Sequence, residues 1–131
     1  MAGVIKLDSA GTQKMKTIDE ALIQLQRLHG VVELYALTLK QNKPTSLFGA
    51  QIKRMMSPLI GLLKPQFGLI ADQVAALNLA SSRGGSEVVR VRTLREGVAS
   101  IRTALEIAIV RIKENHAVIE EPKPGARKPG E

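Results

Sequence analysis

Cysteine and tryptophan are absent from this 131-residue sequence, and aromatic residues make up only 2% of it. Without cysteine the chain has no disulfide, no thiolate metal site and no catalytic thiol, and we take a cytoplasmic location as the default. The aromatic residues are Tyr35, Phe48 and Phe67. A hydrophobic core must therefore consist mainly of Leu, Ile, Val and Ala side chains, which favours packed helices.

Long apolar runs are also missing. Residues 1–11 contain none, so we expect no signal peptide. The most apolar window, residues 59–80, includes Lys64, Pro65 and Asp72, and charged residues are costly in the centre of a bilayer. We therefore predict that the chain has no transmembrane segment.

Motifs for catalysis and metal binding are missing as well. The sequence contains no GxSxG, Walker-type or Rossmann motif, and no HxxxH or ExxH pair that would supply metal ligands. Its carboxylates are spread over outer helix positions, and we expect Glu96 and Glu106 to pair with neighbouring arginines. We predict a protein that is not an enzyme and has no catalytic, cofactor-binding or metal-binding residues.

Both histidines are interpreted as structural residues. His29 lies in the apolar stripe of the first predicted helix, where a core or subunit-interface histidine is more common than a metal ligand. His116 ends the last predicted helix, and we expect it level with residues 41–43. The two imidazoles then lie too far apart to share one metal ion within a subunit.

Helical periodicity is the feature that the sequence has in abundance. Residues 57–77, written in sevens, place apolar side chains in two columns that lie three and four residues apart, the spacing of a helix packed in a bundle. The columns are Ile60, Phe67, Val74 and Leu63, Ile70, Leu77. A third column contains the small residues Gly61, Gly68 and Ala75.

The pattern predicts an all-α fold of three long helices. The first runs from about Lys14 to Gln41 with Thr17 as its cap, and the second follows a cap at Thr45 or Ser46. The third begins after Ser86 and runs to about His116. Its seam consists of seven apolar residues in three-four alternation, namely Val91, Leu94, Val98, Ile101, Leu105, Ala108 and Ile112.

Pro58 makes the middle helix ambiguous. Either Ser57 and Pro58 cap and begin a new helix, which gives a four-helix bundle, or one long helix bends there. Because Pro58 and Pro65 lie opposite the seam, we favour one bent helix with the prolines on its convex side. Short turns make consecutive helices antiparallel, so we predict an up-down-up bundle whose first and third helices run parallel.

The ends of the sequence differ from this helical region. We predict a flexible N-terminal arm over residues 1–13 and a helical bundle domain over residues 14–118. Residues 119–131 are rich in proline, glycine and charge, and we predict a disordered tail there.

Positive charge is in excess, with a formal net charge of +7 at pH 7. Such a field favours anionic partners, namely nucleic acid, acidic protein or anionic membrane. The alternative is a solvated flank whose arginines pair with glutamates. The candidate polyanion-binding residues are the densest basic group, Arg83, Arg90, Arg92, Arg95 and Arg102.

Apolar residues outside the predicted seams indicate a further surface. A helix that is apolar nearly all round is buried on more than one side, and another copy of the chain is the simplest partner. The candidate oligomer-interface residues are Leu62, Leu69, Ile107, Ile109 and Val110. We therefore expect a non-catalytic, self-associating helical-bundle interaction module, with sequence-independent nucleic-acid binding as the alternative and peripheral binding to anionic membranes as a third function.

Overall fold

The computed structural model describes residues 4–120 and is mostly helical, as predicted. It contains four helices rather than three, and two short strands that lie outside the predicted all-α pattern. The helices are α1 (Ser9–Lys40), α2 (Phe48–Leu63), α3 (Gly68–Ser81) and α4 (Glu87–His116). The strands β1 (Val4–Leu7) and β2 (Ala117–Glu120) pair antiparallel, with Val4 opposite Glu120 and Leu7 opposite Ala117.

The four helices run up-down-up-down around one core. The Thr17 hydroxyl near the start of α1 donates to Gln66 Oε1 after the end of α2 (2.9 Å), so these two helices are antiparallel. The Asp8 amide before α1 donates to the His116 carbonyl at the end of α4 (2.9 Å). The predicted parallel orientation of the first and last helices is therefore wrong, because the additional helix reverses the chain once more.

The middle segment breaks at Pro65 and yields the four helices of the alternative prediction, but no new helix begins at Pro58. Pro58 lies inside α2 on its exposed side, where the helix continues despite the missing amide. After Pro65 the Phe67 amide donates to the Leu63 carbonyl (2.7 Å), and the backbone of Phe67 (φ −133, ψ 59) leaves the helical region. The chain then reverses into α3, which packs beside both α2 and α4.

The core is aliphatic apart from Tyr35, and no charged or polar side chain among the described residues is buried in it. All seven residues of the predicted α4 seam are buried, which confirms that register. Leu59 and Ala71 are buried where the single-helix pattern predicted Ile60 and Ile70, because α2 and α3 do not share one seam.

The core of α1 is centred on one flank of its predicted stripe. In the sequence, Ala21, Leu28 and Tyr35 lie on one flank of the apolar stripe that contains His29. All three are buried, whereas His29 is only half-buried. The physical reason is that α1 packs against α2 on one side and α4 on the other, so the buried stripe is wider than a two-column seam.

The caps explain where the helices begin. Asp8 Oδ1 accepts a hydrogen bond from the Gly11 amide (2.7 Å), so α1 begins at Ser9 and Thr17 is not its cap. Residues 9–13 of the predicted flexible arm therefore belong to α1, and residues 4–7 form β1. Of the predicted tail, residues 119 and 120 lie in β2, and the remainder lies outside the described residues.

The starts of α2 and α4 differ in whether a side chain caps them. Ser86 caps α4 as predicted, its hydroxyl accepting from the Val89 amide (3.3 Å). By contrast α2 has no side-chain cap, because the hydroxyl of Thr45 bonds to Glu87 instead. In the α3–α4 turn Gly85 has φ 129, which a residue with a side chain rarely adopts.

Close approach of α3 and α4 depends on Gly97. A Cβ atom at this position would lie 2.4 Å from Cδ1 of the buried Leu77, so a larger residue would push the two helices apart or rotate that side chain.

Within residues 4–120, no helix combines the length and apolar character needed to cross a membrane.

Candidate functional site

A groove of about 480 Å³ lies between the first turns of α3 and the last turns of α4. The chain breaks at Pro65, so that α3 starts beside the C-terminal half of α4. Most of its walls are apolar. They are formed by Phe67, Leu69 and Ile70 on the α3 side and by Ala104, Ile107 and Ala108 on the α4 side. We call this feature the α3–α4 groove.

Three of the five predicted interface residues are exposed at this groove or next to it. Leu69 is 86% exposed and Ile107 is 48% exposed, and both line the groove. Val110 is 55% exposed and follows Ile107 by three residues, so the two are neighbours on the outer face of α4. The structure places Leu62 and Ile109 elsewhere, half-buried against the core.

Three ionisable side chains of the described residues line the groove. They are Lys14, Arg111 and His116, and none of them is a carboxylate. The imidazole is held on both sides, because its Nδ1 lies 3.1 Å from Asp8 Oδ1 and its Nε2 lies 3.3 Å from the Lys14 Nζ. The pKa of Asp8 lies below its usual value, mainly because the Gly11 amide donates to it and also because of His116.

His116 therefore joins the end of α4 to the start of α1 at one end of the bundle. It lies at the start of α1, and its predicted position level with residues 41–43 is wrong because α4 runs antiparallel to α1. His29 is fifteen residues beyond Lys14 on α1, about 22 Å along the helix axis. Over residues 4–120, no three acidic or histidine side chains are grouped so that they could hold a metal ion.

A second polar cluster links α1, α2 and α4 at the opposite end of the bundle. Glu87 accepts hydrogen bonds from the Thr45 hydroxyl (2.6 Å) and the Tyr35 hydroxyl (3.0 Å). These two bonds, the first more than the second, lower the pKa of Glu87. Burial raises the pKa of Tyr35, whose ring stacks on Phe48 with centroids 5.0 Å apart. The cluster fastens the start of α4 to the loop before α2.

Three arginines of the predicted polyanion-binding group donate hydrogen bonds within the bundle, namely Arg90, Arg95 and Arg102. Arg95 donates two hydrogen bonds to the Glu33 carboxylate of α1 (2.7 and 2.8 Å). Arg102 reaches Gln26 of the same helix at 3.2 Å. The predicted pairing of arginines with Glu96 and Glu106 is therefore replaced by a pairing across helices, which the antiparallel arrangement of α1 and α4 makes possible.

Arg90 and Arg92 lie in the first turns of α4. Arg90 donates to the Tyr35 hydroxyl (3.4 Å) and to the carbonyl of Arg83 (3.2 Å) at the end of the bundle. Arg92 is exposed and lines a second groove together with Lys40 and Arg95. Arg90, Arg95 and Arg102 each therefore have a hydrogen-bond partner within the chain.

The sequence patterns missed several exposed apolar residues. Leu47 is 80% exposed and lines a shallow hollow of about 270 Å³ with Leu34 and Phe48, at the end of the bundle away from the α3–α4 groove. Leu79, Val88 and Val89 are also exposed. The exposure of Leu34 could be predicted, because it lies opposite the apolar stripe of α1. The exposure of Leu47 could not, because this residue precedes α2 and belongs to no periodic pattern.

Acid should destabilise the protein through its hydrogen-bonded carboxylates. The pKa values of Asp8, Glu33 and Glu87 are all lowered in the folded state, that of Glu33 chiefly by the hydrogen bonds from Arg95. A carboxyl group whose pKa is lowered by folding stabilises the folded state at pH values above its ordinary pKa, which is 4.5 for glutamate. This stability is lost as the pH falls through the pKa of the folded state. We expect the unfolding free energy to fall in acid.

Glu87→Gln tests this dependence, because the amide does not titrate. Urea unfolding from neutral to acid pH should show a shallower loss of stability for this variant than for the parent. Glu114→Gln is the matched control, since Glu114 is exposed and makes no hydrogen bond or ion pair within residues 4–120. Parallel curves for Glu87→Gln and the parent would contradict the assignment.

Comparison with known proteins identifies no relative, since no protein-family model, no curated protein and no solved structure matches the chain.

Proposed function

We propose that the protein is a non-catalytic helical-bundle interaction module that associates with further copies of itself. The observation that carries this proposal is Leu69, which is 86% exposed at the rim of an apolar groove. Single exposed apolar residues are common on soluble proteins, whereas an apolar patch continuous with a groove is typical of a binding surface. Ile107 and Val110 extend the patch on α4.

The energetics favour a partner that buries the whole patch. Full burial of one Leu, Ile or Val side chain contributes about 1.5–3 kcal/mol. Three such residues on each of two subunits supply on the order of 10 kcal/mol, which is within the estimated range of the cost of association, about 4–15 kcal/mol. Association therefore requires that the groove walls be covered together with the exposed side chains.

The distribution of arginines supports polyanion binding less well. Arg95, central to the predicted basic group, already shares two hydrogen bonds with Glu33. The Glu33 carboxylate partly neutralises the charge of this guanidinium and so weakens its attraction for a phosphate.

Light scattering tests the proposal. At micromolar concentration the parent should report at least twice the chain mass of 14.2 kDa. Leu69→Lys combined with Val110→Lys should lower that mass without loss of helicity, because both side chains project into solvent in the single chain. Leu47→Lys is the matched control, an equally exposed leucine far from the groove, and should leave the mass unchanged. A parent that stays monomeric at high concentration would refute self-association.

A further inference from the structure

We infer that the association is a two-fold symmetric dimer, in which Leu69 of each subunit enters the α3–α4 groove of the other and Asp72 pairs with the partner's Arg111. This inference rests on the proposed function and specifies its interface. It follows from the shape of the groove and from the charges around it.

The shape meets the requirement of a two-fold interface. Such an interface uses the same patch on both subunits, so the patch must contain both a projecting group and a cavity that receives it. Leu69 projects from the first turn of α3, and the groove lies directly beside it. Gly68 is exposed, with nothing within 4 Å of a Cβ atom built there, so a partner helix can approach the backbone closely.

The basic side chains of the groove favour a partner that brings an acidic group. Among the described residues its lining carries Lys14 and Arg111 and no carboxylate, and two copies of a chain with net charge +7 repel one another unless acidic groups meet basic groups locally. Lys14 is already hydrogen-bonded to His116. Arg111 is exposed and makes no hydrogen bond or ion pair within residues 4–120.

Asp72 is the acidic group that a second copy would bring. It follows Leu69 by three residues and is therefore its neighbour on the outer face of α3. Like Arg111 it is exposed and without a hydrogen bond or ion pair in the described part of the chain. When Leu69 enters the groove of another copy, its neighbour Asp72 arrives beside the α4 wall that carries Arg111. The two-fold axis makes this pair twice.

A charge-reversal cycle tests the pairing. We measure the dimer dissociation constant by sedimentation for the parent, Asp72→Arg, Arg111→Asp and the double variant. Each single reversal places like charges together at both ends of the interface and should weaken the dimer at least about tenfold. The double variant restores opposite charges and should return to within a few-fold of the parent. Because neither residue makes a hydrogen bond or ion pair within residues 4–120, the helicity of all four proteins should be equal.

Asp19→Arg is the matched control for added charge. Asp19 is exposed on α1 and does not line the groove. Its replacement by arginine changes the net charge by the same amount as Asp72→Arg, so the dissociation constant should stay close to that of the parent. A parent that dimerises while the double variant is no tighter than the single variants would overturn this interface and leave self-association standing. A monomeric parent would overturn both, and an assembly with an odd number of subunits would exclude a two-fold dimer.

Discussion

Replacing Ile101 with aspartate should unfold the protein. Ile101 is fully buried in the middle of α4, and the described core offers no polar or charged side chain as a partner for a carboxylate. The substitution removes aliphatic packing, which costs about 2–5 kcal/mol, and adds the penalty of burying an unpaired charge or of protonating it. The sum is comparable to the total stability of a small domain, about 5–15 kcal/mol.

Circular dichroism and thermal melting measure this effect. We expect Ile101→Asp to lose the cooperative transition, whereas Ile23→Asp should keep it, because Ile23 is 55% exposed on the outer face of α1. The pair applies the same chemical change to a buried and an exposed isoleucine. If Ile101→Asp melts like the parent, α4 does not bury its seam in the observed register.

Replacing Gly11 with alanine should destabilise the protein by about 2 kcal/mol, although alanine is the better helix former. A Cβ atom at this position would lie 2.5 Å from the Cβ of His116 and 3.2 Å from Asp8 Oδ1. The contacted Cβ is bonded to the backbone and cannot rotate away. The start of α1 and the end of α4 must therefore separate, which weakens the bond from the Asp8 amide to the His116 carbonyl.

Gly30→Ala is the matched control and should have the opposite sign. Gly30 is also helical, but it is exposed and nothing lies within 4 Å of a Cβ atom built there. The substitution should raise the unfolding free energy by about 0.5–1 kcal/mol, because alanine loses less backbone entropy on folding. Denaturant unfolding of both variants gives the two values. A Gly11→Ala variant as stable as Gly30→Ala would show that the two helix ends are not in close contact.

The sequence by itself determined α4. Its start after Ser86, its end at His116 and all seven buried seam residues follow from local signals. A cap depends on residues three apart, and a buried stripe depends on the geometry of one helix. For the same reason the sequence indicated that Leu69, Ile107 and Val110 are exposed, since each lies outside the seam of its own helix.

Only the tertiary structure decided where the middle segment breaks. Pro58 and Pro65 occupy the same column of the seven-residue pattern, and each removes one helical hydrogen bond. Local chemistry does not distinguish them. The break at Pro65 lets α3 fold back beside α2 and cover the core as the fourth helix of the bundle. The free energy gained by this burial arises between helices rather than within one.

The remaining differences follow from contacts between residues that are distant in the sequence. The fourth helix makes α1 and α4 antiparallel, which brings Arg95 to Glu33 and His116 to Asp8. It also buries part of Leu62 and Ile109, and it creates the α3–α4 groove. Periodicity reports which face of a helix is apolar, but the neighbour of that face is set by the burial of all four helices together.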